Sequence, residues 1–525
     1  MASSSQSVWP AQASPASTAI AGRAFGRVAR ALTPSFADCF FAAILAWLFI
    51  CGANGWESLL GDGDTGWHIR TGQYILSHHS VPAHDLFSFS KPAAPWFAWE
   101  WLSDVALAAL FRLGEFKAVT LAAGALIAIY ATVLLRYALW LGANALLSAL
   151  ITLVAVGASS MHFLARPHLF TLLLLPVCLW LVQADARKNT RLVWLLVPLA
   201  VLWTNLHGGF FIFIACLGLM TGGHAIEAWL HRGHWPLVFR HTALLAGCAL
   251  ASFVNPYGIE LHRHVLEYLR SDWIRDTIQE FQAPTFRSEG QLQFEALLLI
   301  GLLTSGFLLK KRRIADALCL IFLAHSSLLS VRHAPLYVSV AAPLIAAQLS
   351  EWWKFWTDRL PKKSIIRILR QLGDDIVPVF RRNTMWPIVV ILVLALLDAP
   401  LKWPRDFPSQ NFPLEMIHSN ADLLQSGRLL TTDQWGDYII FSFYPKQQVF
   451  VDGRSDFYGE GIGREYLQLT QGADNWRAIL DRYGFQVALL PLNLPLSSLL
   501  KTDPSWRVKR DDHHTLLFVR IGPQS

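Results

Sequence analysis

About eleven apolar runs divide this chain, most near the ~20 residues that a helix needs to cross a bilayer. They lie at 36–54, 117–136, 143–161, 168–184, 191–205, 208–229, 241–254, 294–309, 314–330, 334–350 and 386–402. Runs this long and this frequent leave few alternatives. In lipid every backbone N–H and C=O must be satisfied within the chain, so apolar runs become helices. Two of the runs, 191–205 and 241–254, are short. A further stretch at 102–113 is too short to span and reads as an amphipathic helix lying in the interface. The expected fold class is an α-helical polytopic membrane protein.

Charge supports this reading. Of 525 residues, 54% are hydrophobic and only 15% charged, against about 25% charged in soluble proteins. The net charge of +7 does not point to a nucleic-acid partner, because the basic residues cluster in short loops between apolar runs. With the N-terminus inside, the inner loops hold Arg136, then Arg187, Lys188 and Arg191, then Arg232 and Arg240, then Lys310 to Arg313. A last inner loop near 351–385 adds Lys354, Arg359, Lys362, Lys363, Arg367, Arg370, Arg381 and Arg382. This alternation follows the positive-inside rule and fixes the expected direction in a cell (inner) membrane. The six cysteines sit in or at the ends of apolar runs without ligand spacing, and read as small buried hydrophobes.

Three regions follow: a disordered cytoplasmic N-terminus (1–35) rich in Ala, Ser and Pro, a transmembrane region (36–402), and an extracytoplasmic region (403–525). Residues 403–525 carry strand-like runs at 429–432, 438–443, 448–451, 487–490 and 515–519. A helix is expected over 465–483, closed by Gly484. That pattern predicts a small α/β domain outside the membrane.

By parity the outer face holds a long first loop (55–116), and almost every specific polar cluster falls on that side. The loop reads Gly61-Asp-Gly-Asp-Thr-Gly-Trp-His, which puts Asp62 and Asp64 close to the end of the first span. A carboxylate at a membrane surface becomes a general base when burial or neighbouring charge tunes it. Asp64 is the first candidate and Asp62 the second, with Trp67, His68 and Arg70 following on a short helix. Asp85, Glu100 and Asp104 are further acids of the loop, the last two better explained as complementing a helix start. Arg166-Pro-His168, Asn205-Leu-His207-Gly-Gly209, Asn255-Pro-Tyr257-Gly and Arg332-His333 each stand at an outer span end. Arginine suits phosphate or carboxylate, ionisable groups at such depth are functional candidates, and Gly208-Gly209 opening a helix would present free N–H groups to an anion. Asn255 and Tyr257 read as turn residues. In the C-terminal region Asp433 to Asp437 and Asp452 to Asp456 stand out. The second lacks the spacing of a calcium loop and reads as a turn with local salt bridging.

The order of these motifs resembles the GT-C superfamily of polytopic membrane glycosyltransferases, near the protein mannosyltransferase, aminoarabinose transferase and Rgt-like groups. Most of the chain is similar to uncharacterised bacterial members carrying comparable Asp64-Thr-Gly-Trp-His, Ala165-Arg-Pro-His, Asn205-Leu-His-Gly-Gly, Asn255-Pro-Tyr-Gly and Val451-Asp-Gly-Arg segments. The resemblance implies transfer of a sugar from a polyprenyl-phosphate-type lipid donor to a glycan, lipid or protein acceptor. It implies a first-loop acid as base, matched by Asp64 and then Asp62, with Arg166 and Arg332 holding the lipid phosphate. His68, His168, His207 and His333 complete the expected substrate-binding set. The cofactor is open: a divalent metal is compatible with the sequence and none is required by it. Two other readings use the same residues: a transporter or flippase of a lipid-linked or anionic substrate, and a non-catalytic glycan-binding scaffold. Charge gathered at span ends rather than at the midplane favours the enzyme over the transporter.

Overall fold

The computed structural model describes residues 32–51, 55–231, 233–397 and 403–521. Most of the N-terminal segment expected to be disordered (1–31) and Arg232, expected in an inner loop, lie outside them. The chain is a largely α-helical polytopic membrane protein. Among the described residues, five helices are long and apolar enough to cross a membrane: Trp101–Leu141, Ala145–His162, His168–Lys188, Phe210–Leu230 and Glu289–Lys310. Shorter apolar helices run over Phe36–Ile50, Arg191–Leu206, Trp235–Ala251, Ile314–Leu329 and Trp386–Leu396. The helix Ala334–Thr357 is buried along most of its length.

Helix ends follow local chemistry. Ser35 and Asp38 form a reciprocal capping box at the start of Phe36–Ala46. Asn144 caps Ala145–Ser159 by accepting from Leu146 N. The 101–141 run combines the expected interfacial segment with a span. The two are separated only by Gly114 (φ −166°, ψ 31°) and Glu115 (φ 51°, ψ −146°), which break the helical geometry without a loop.

Contacts tie together several of the basic loops expected on the inner side. Arg136 bonds Asn383 Oδ1 and Arg382 O, Arg187 lies over the Trp140 ring, and Arg240 grips the buried Asp185 carboxylate. The stretch expected as a plain inner loop contains an amphipathic helix, Ile365–Phe380. It docks through Arg370, whose carbonyl accepts from Asn144 Nδ2 at 2.8 Å.

The C-terminal region is mixed α/β, with a four-stranded sheet in the order β1 (Leu429–Leu430), β2 (Val487–Pro491), β4 (Thr515–Arg520), β3 (Trp506–Asp511). β1 pairs parallel to β2, and the other pairs are antiparallel. The expected strand at 438–443 is instead part of the helix Asp433–Phe443. Thr432 caps it, and its 436–440 face is buried, packed against the first-loop helix Asp64–His78. A short apolar run does not by itself separate a buried helix from a strand. Residues 448–451 form only isolated bridges at Val449, to Ser88 and Leu429. The single helix expected over 465–483 is two, Ser455–Thr470 and Trp476–Tyr483. Gly484 does end the second, in the left-handed region at φ 64°. β3 escaped notice because its exposed side chains are charged, as edge strands tend to be.

The first loop is folded against both neighbours. Its helix Asp64–His78 crosses 101–113 at Gly72, where a Cβ would lie 1.9 Å from Asp104 O. One contiguous apolar core runs from the helix bundle into the C-terminal sheet.

Candidate functional site

The first loop, the span-end clusters at 166–168, 207–209 and 332–333 and the C-terminal region converge on one cleft, whereas Asn255 and Tyr257 lie outside it. Asp62 Oδ1 accepts from Asp64 N at 2.9 Å, so the helix Asp64–His78 starts with one acid capped by the other. Asp64 is only 4% exposed, and its Oδ1 has no hydrogen-bond partner. Arg166 reaches both acids: Nη1 lies 2.7 Å from Asp62 Oδ2 and Nη2 contacts Asp64 Oδ2. The arginine projects from a tight link between two spans. That link is pinned to the first loop by Ala165 N donating to Leu59 O and by Thr65 Oγ1 donating to Ala165 O.

Glu280 enters from the segment 271–281. Its Oε1 is 3.6 Å from Arg166 Nη1 and its Oε2 is 3.8 Å from Arg332 Nη1. Arg332 also donates to Tyr268 Oη at 3.3 Å and stacks over Phe281. Asp437 lies fully buried behind Gly453, on the C-terminal side of the cleft. Its Oδ1 accepts from Gly453 N at 2.9 Å, while its Oδ2 is buried and unpartnered. A Cβ on Gly453 would sit 1.9 Å from Asp64 Oδ1 and 3.1 Å from Asp437 Oδ2. The two free carboxylate oxygens therefore share one glycine-bounded space.

Burial governs the electrostatics. It pushes Asp64 up to about 7, against the pull of Arg166 and with a further push from Asp62. It raises Glu100 to about 8 against Arg166 and Arg332. Asp437 is also raised by burial, with Asp64 adding to the effect. Glu280 goes the other way: burial opposes ionisation, but Arg166 and Arg332 bring it down to about 2. Burial keeps His68, His207 and His333 neutral, their pKa values lowered.

Two adjoining cavities result. The larger, about 360 Å³, is lined by Asp62, Asp64, Arg166, Glu280, Arg332 and residues of the C-terminal region. The other, about 140 Å³, is mainly apolar, with His168, His207, Arg332 and His333 on its wall beside Phe211, Leu269 and Leu336. Arg332, Tyr268 and Phe281 line both. A small recess holding Asp64, His68, Glu100 and Arg166 joins them. The eight residues expected to be catalytic or substrate-binding, Asp62, Asp64, His68, Arg166, His168, His207, Arg332 and His333, thus all line these adjoining cavities.

Their states differ from simple expectation. His68 is spent inside the protein: Nδ1 meets Asp104 Oδ1 at 2.6 Å and Nε2 faces Glu100 at 3.7 Å. His207 Nδ1 takes the Gly209 N–H at 2.9 Å and lies 2.8 Å from Thr171 Oγ1, which leaves Nε2 toward Glu100 at 3.4 Å. The N–H groups expected to be free after Gly208 are engaged. Gly209 donates to His207, and Phe210, Phe211 and Ile212 donate to the carbonyls of His207, Gly208 and Gly209. His168 Nε2 bonds His162 O, and His333 Nδ1 bonds Ser326 O.

Sequence reasoning missed Glu280, which no spacing marks in its loop, and left Asp437 unassigned. The Asp452 turn does contain the expected local salt bridge, with Arg454 Nη2 at 2.6 Å. Arg454 also pairs with Asp85 across to the first loop.

No family model matches this chain, and no curated protein matches it. Among the solved structures that share its fold are two archaeal proteins. One is the archaeal oligosaccharyltransferase AglB from Archaeoglobus fulgidus in complex with an inhibitory peptide and a dolichol-phosphate. It is 12% identical, with a TM-score of 0.51 over 87% of this chain and 69% of that one. The other is the Archaeoglobus fulgidus oligosaccharyltransferase tethered to an acceptor peptide containing the NVT sequon. It is also 12% identical, with a TM-score of 0.53 over 87% of this chain and 68% of that one. At 12% identity the likeness is one of fold.

Proposed function

We propose that this protein is a membrane glycosyltransferase that moves a sugar from a polyprenyl-phosphate-type lipid to an acceptor at the extracytoplasmic face. The observation that carries the reading is the shared wall of the two cavities. An acid with a free, buried oxygen, Asp64, stands in one, and Arg332 borders both. The apolar cavity suits the first isoprene units of a lipid, and Arg332 stands where its phosphate would enter the polar cleft. Asp64 takes the proton of an acceptor hydroxyl or amine as that group attacks the sugar's anomeric carbon. The bond from that carbon to the phosphate oxygen breaks, and the electron pair leaves on the phosphate, stabilised by Arg332. His207 and His333, being neutral, serve as hydrogen-bonding walls rather than charges.

The fold supports a lipid donor and a separate acceptor, since the two similar structures were solved with a dolichol-phosphate and with peptides. Their 12% identity leaves the sugar, the acceptor and the subgroup within the superfamily to experiment. The extracytoplasmic placement rests on the basic loops expected on the inner side. The direct test is release of polyprenyl phosphate from short-chain lipid-phosphate sugars by purified protein with membrane-extract acceptors. Asp64→Asn should reduce turnover by roughly 10²–10⁴-fold, the usual loss on removing a general base, while inserting normally. Undiminished turnover by that variant removes Asp64 from the role. Lipid movement across proteoliposomes without covalent product favours the transporter reading.

A further inference from the structure

Three carboxylates that converge on a cleft need a cation, and hard oxygen donors of this kind commonly hold Mg²⁺ or Mn²⁺. In this cleft the centre is already taken. The guanidinium of Arg166 bridges Asp62 and Asp64 and reaches Glu280 at 3.6 Å, so one planar group touches all three acids. Arg332 approaches the far oxygen of Glu280. With the carboxylates turned onto Arg166, no group of three or more His, Cys, Asp or Glu among the described residues is arranged to hold a metal ion.

We propose that Arg166 is the built-in cation of the acidic cleft, occupying the place where Asp62, Asp64 and Glu280 would otherwise take a divalent metal ion.

Several features fit a permanent resident better than a passing contact. Arginine stays charged at any working pH, and its fork matches two carboxylates at once. Its backbone is fixed on both sides, by Arg166 N donating to Leu164 O at 2.8 Å and by the following proline. The side chain is 17% exposed, so the ion pairs are largely shielded from solvent. The arrangement also divides the labour of the two arginines. Arg166 is consumed in holding Asp62 and Asp64, which leaves Arg332, with one weak phenol bond and one distant acid, to meet a phosphate. Arg166 is on this view a positioning residue for Asp64 and not a phosphate ligand. The inference deepens the proposed glycosyl transfer, but its test reads ion binding, so either can fail without the other.

The test is Mn²⁺ uptake by the full chain purified in detergent and stripped with chelator, followed by the electron paramagnetic resonance signal of free Mn²⁺. Wild type should bind no more Mn²⁺ than Asp64→Asn does. Arg166→Met should gain about one ion per chain, the stoichiometry of a single carboxylate site, and the Arg166→Met/Asp64→Asn double variant should lose it again. About one Mn²⁺ per wild-type chain that disappears in Asp64→Asn overturns the proposal. So does an Arg166→Met protein with native melting and gel-filtration behaviour that takes up no extra ion. If Arg166→Met does not fold, the wild-type and Asp64→Asn comparison decides alone.

Discussion

Arg454 of the C-terminal region lies 2.8 Å from Asp85 of the first loop, and both side chains are buried. The same guanidinium is held by Asp452 through two bonds and is sandwiched among Phe87, Trp96 and Phe457. This clamp carries Gly453, the residue immediately before it, onto Asp64 and Asp437. Removing one member of a buried pair strands the other, at a cost of about 3–5 kcal/mol. Arg454→Met and Asp85→Asn should each lower the melting temperature of the purified protein clearly, and their double variant by less than the sum. Arg454→Lys should restore little, since an ammonium cannot supply the fork. Additive losses in the double variant speak against a coupled clamp.

The acid limb of transfer should follow Asp64. A base must be ionised, and burial sets this carboxyl at about 7, so the rate should fall as pH drops through that value. Asp62 contributes to the upward push. Asp62→Asn should therefore move the limb to lower pH, and loss of Arg166, which pulls the other way, should move it higher. The stability sign is opposite. A carboxyl raised above its unfolded value favours the folded state below about 4 and loses that contribution as pH rises toward 7. Asp64→Asn should thus melt no lower than wild type at pH 8. Thermal scans across pH check this independently of any substrate.

Gly453→Ala should stop transfer. Its Cβ would fall 1.9 Å from Asp64 Oδ1, a distance that only displacement of the loop or the acid can relieve. Gly461→Ala in the neighbouring helix is the matched control, because nothing lies within 4 Å of its Cβ. Equal activity of the two variants in the polyprenyl-phosphate release assay counts against a role for Asp64 beside Gly453.

Arg332→Met should raise KM for the lipid donor by about 10- to 100-fold, the worth of a charge-assisted bond. Arg166→Lys, by contrast, should act on kcat and the pH profile more than on KM, because it loosens Asp64 rather than a phosphate. A KM effect confined to Arg166 reverses the division of roles between the two arginines.

Much of this protein was legible along the chain. Apolar runs of spanning length dictate helices, since lipid offers no partner for an open backbone, and every expected run is helical among the described residues. The polar clusters at the span ends stood out because an ionisable group is costly beside hydrocarbon. The Gly484 terminus, the Asp452 turn and the strands β2 and β4 were equally local, each set by a turn residue or by a short apolar run. Failures came where two distant segments meet. The run 438–443 is a helix because it packs on the first loop, 371 residues away where Arg70 bonds Phe441 O. Glu280 has no neighbour in sequence that marks it, and only Arg166 and Arg332 make it part of a site. The free N–H groups foreseen at Gly208 are consumed by His207 and its own turn. Composition and spacing determined the membrane, the helices and which polar residues stand at the span ends. Tertiary structure decided that Arg166 answers to Asp62 and Asp64 while Arg332 stands between the polar and the apolar cavity, because a charge takes its role from whatever partner burial brings within a few ångströms.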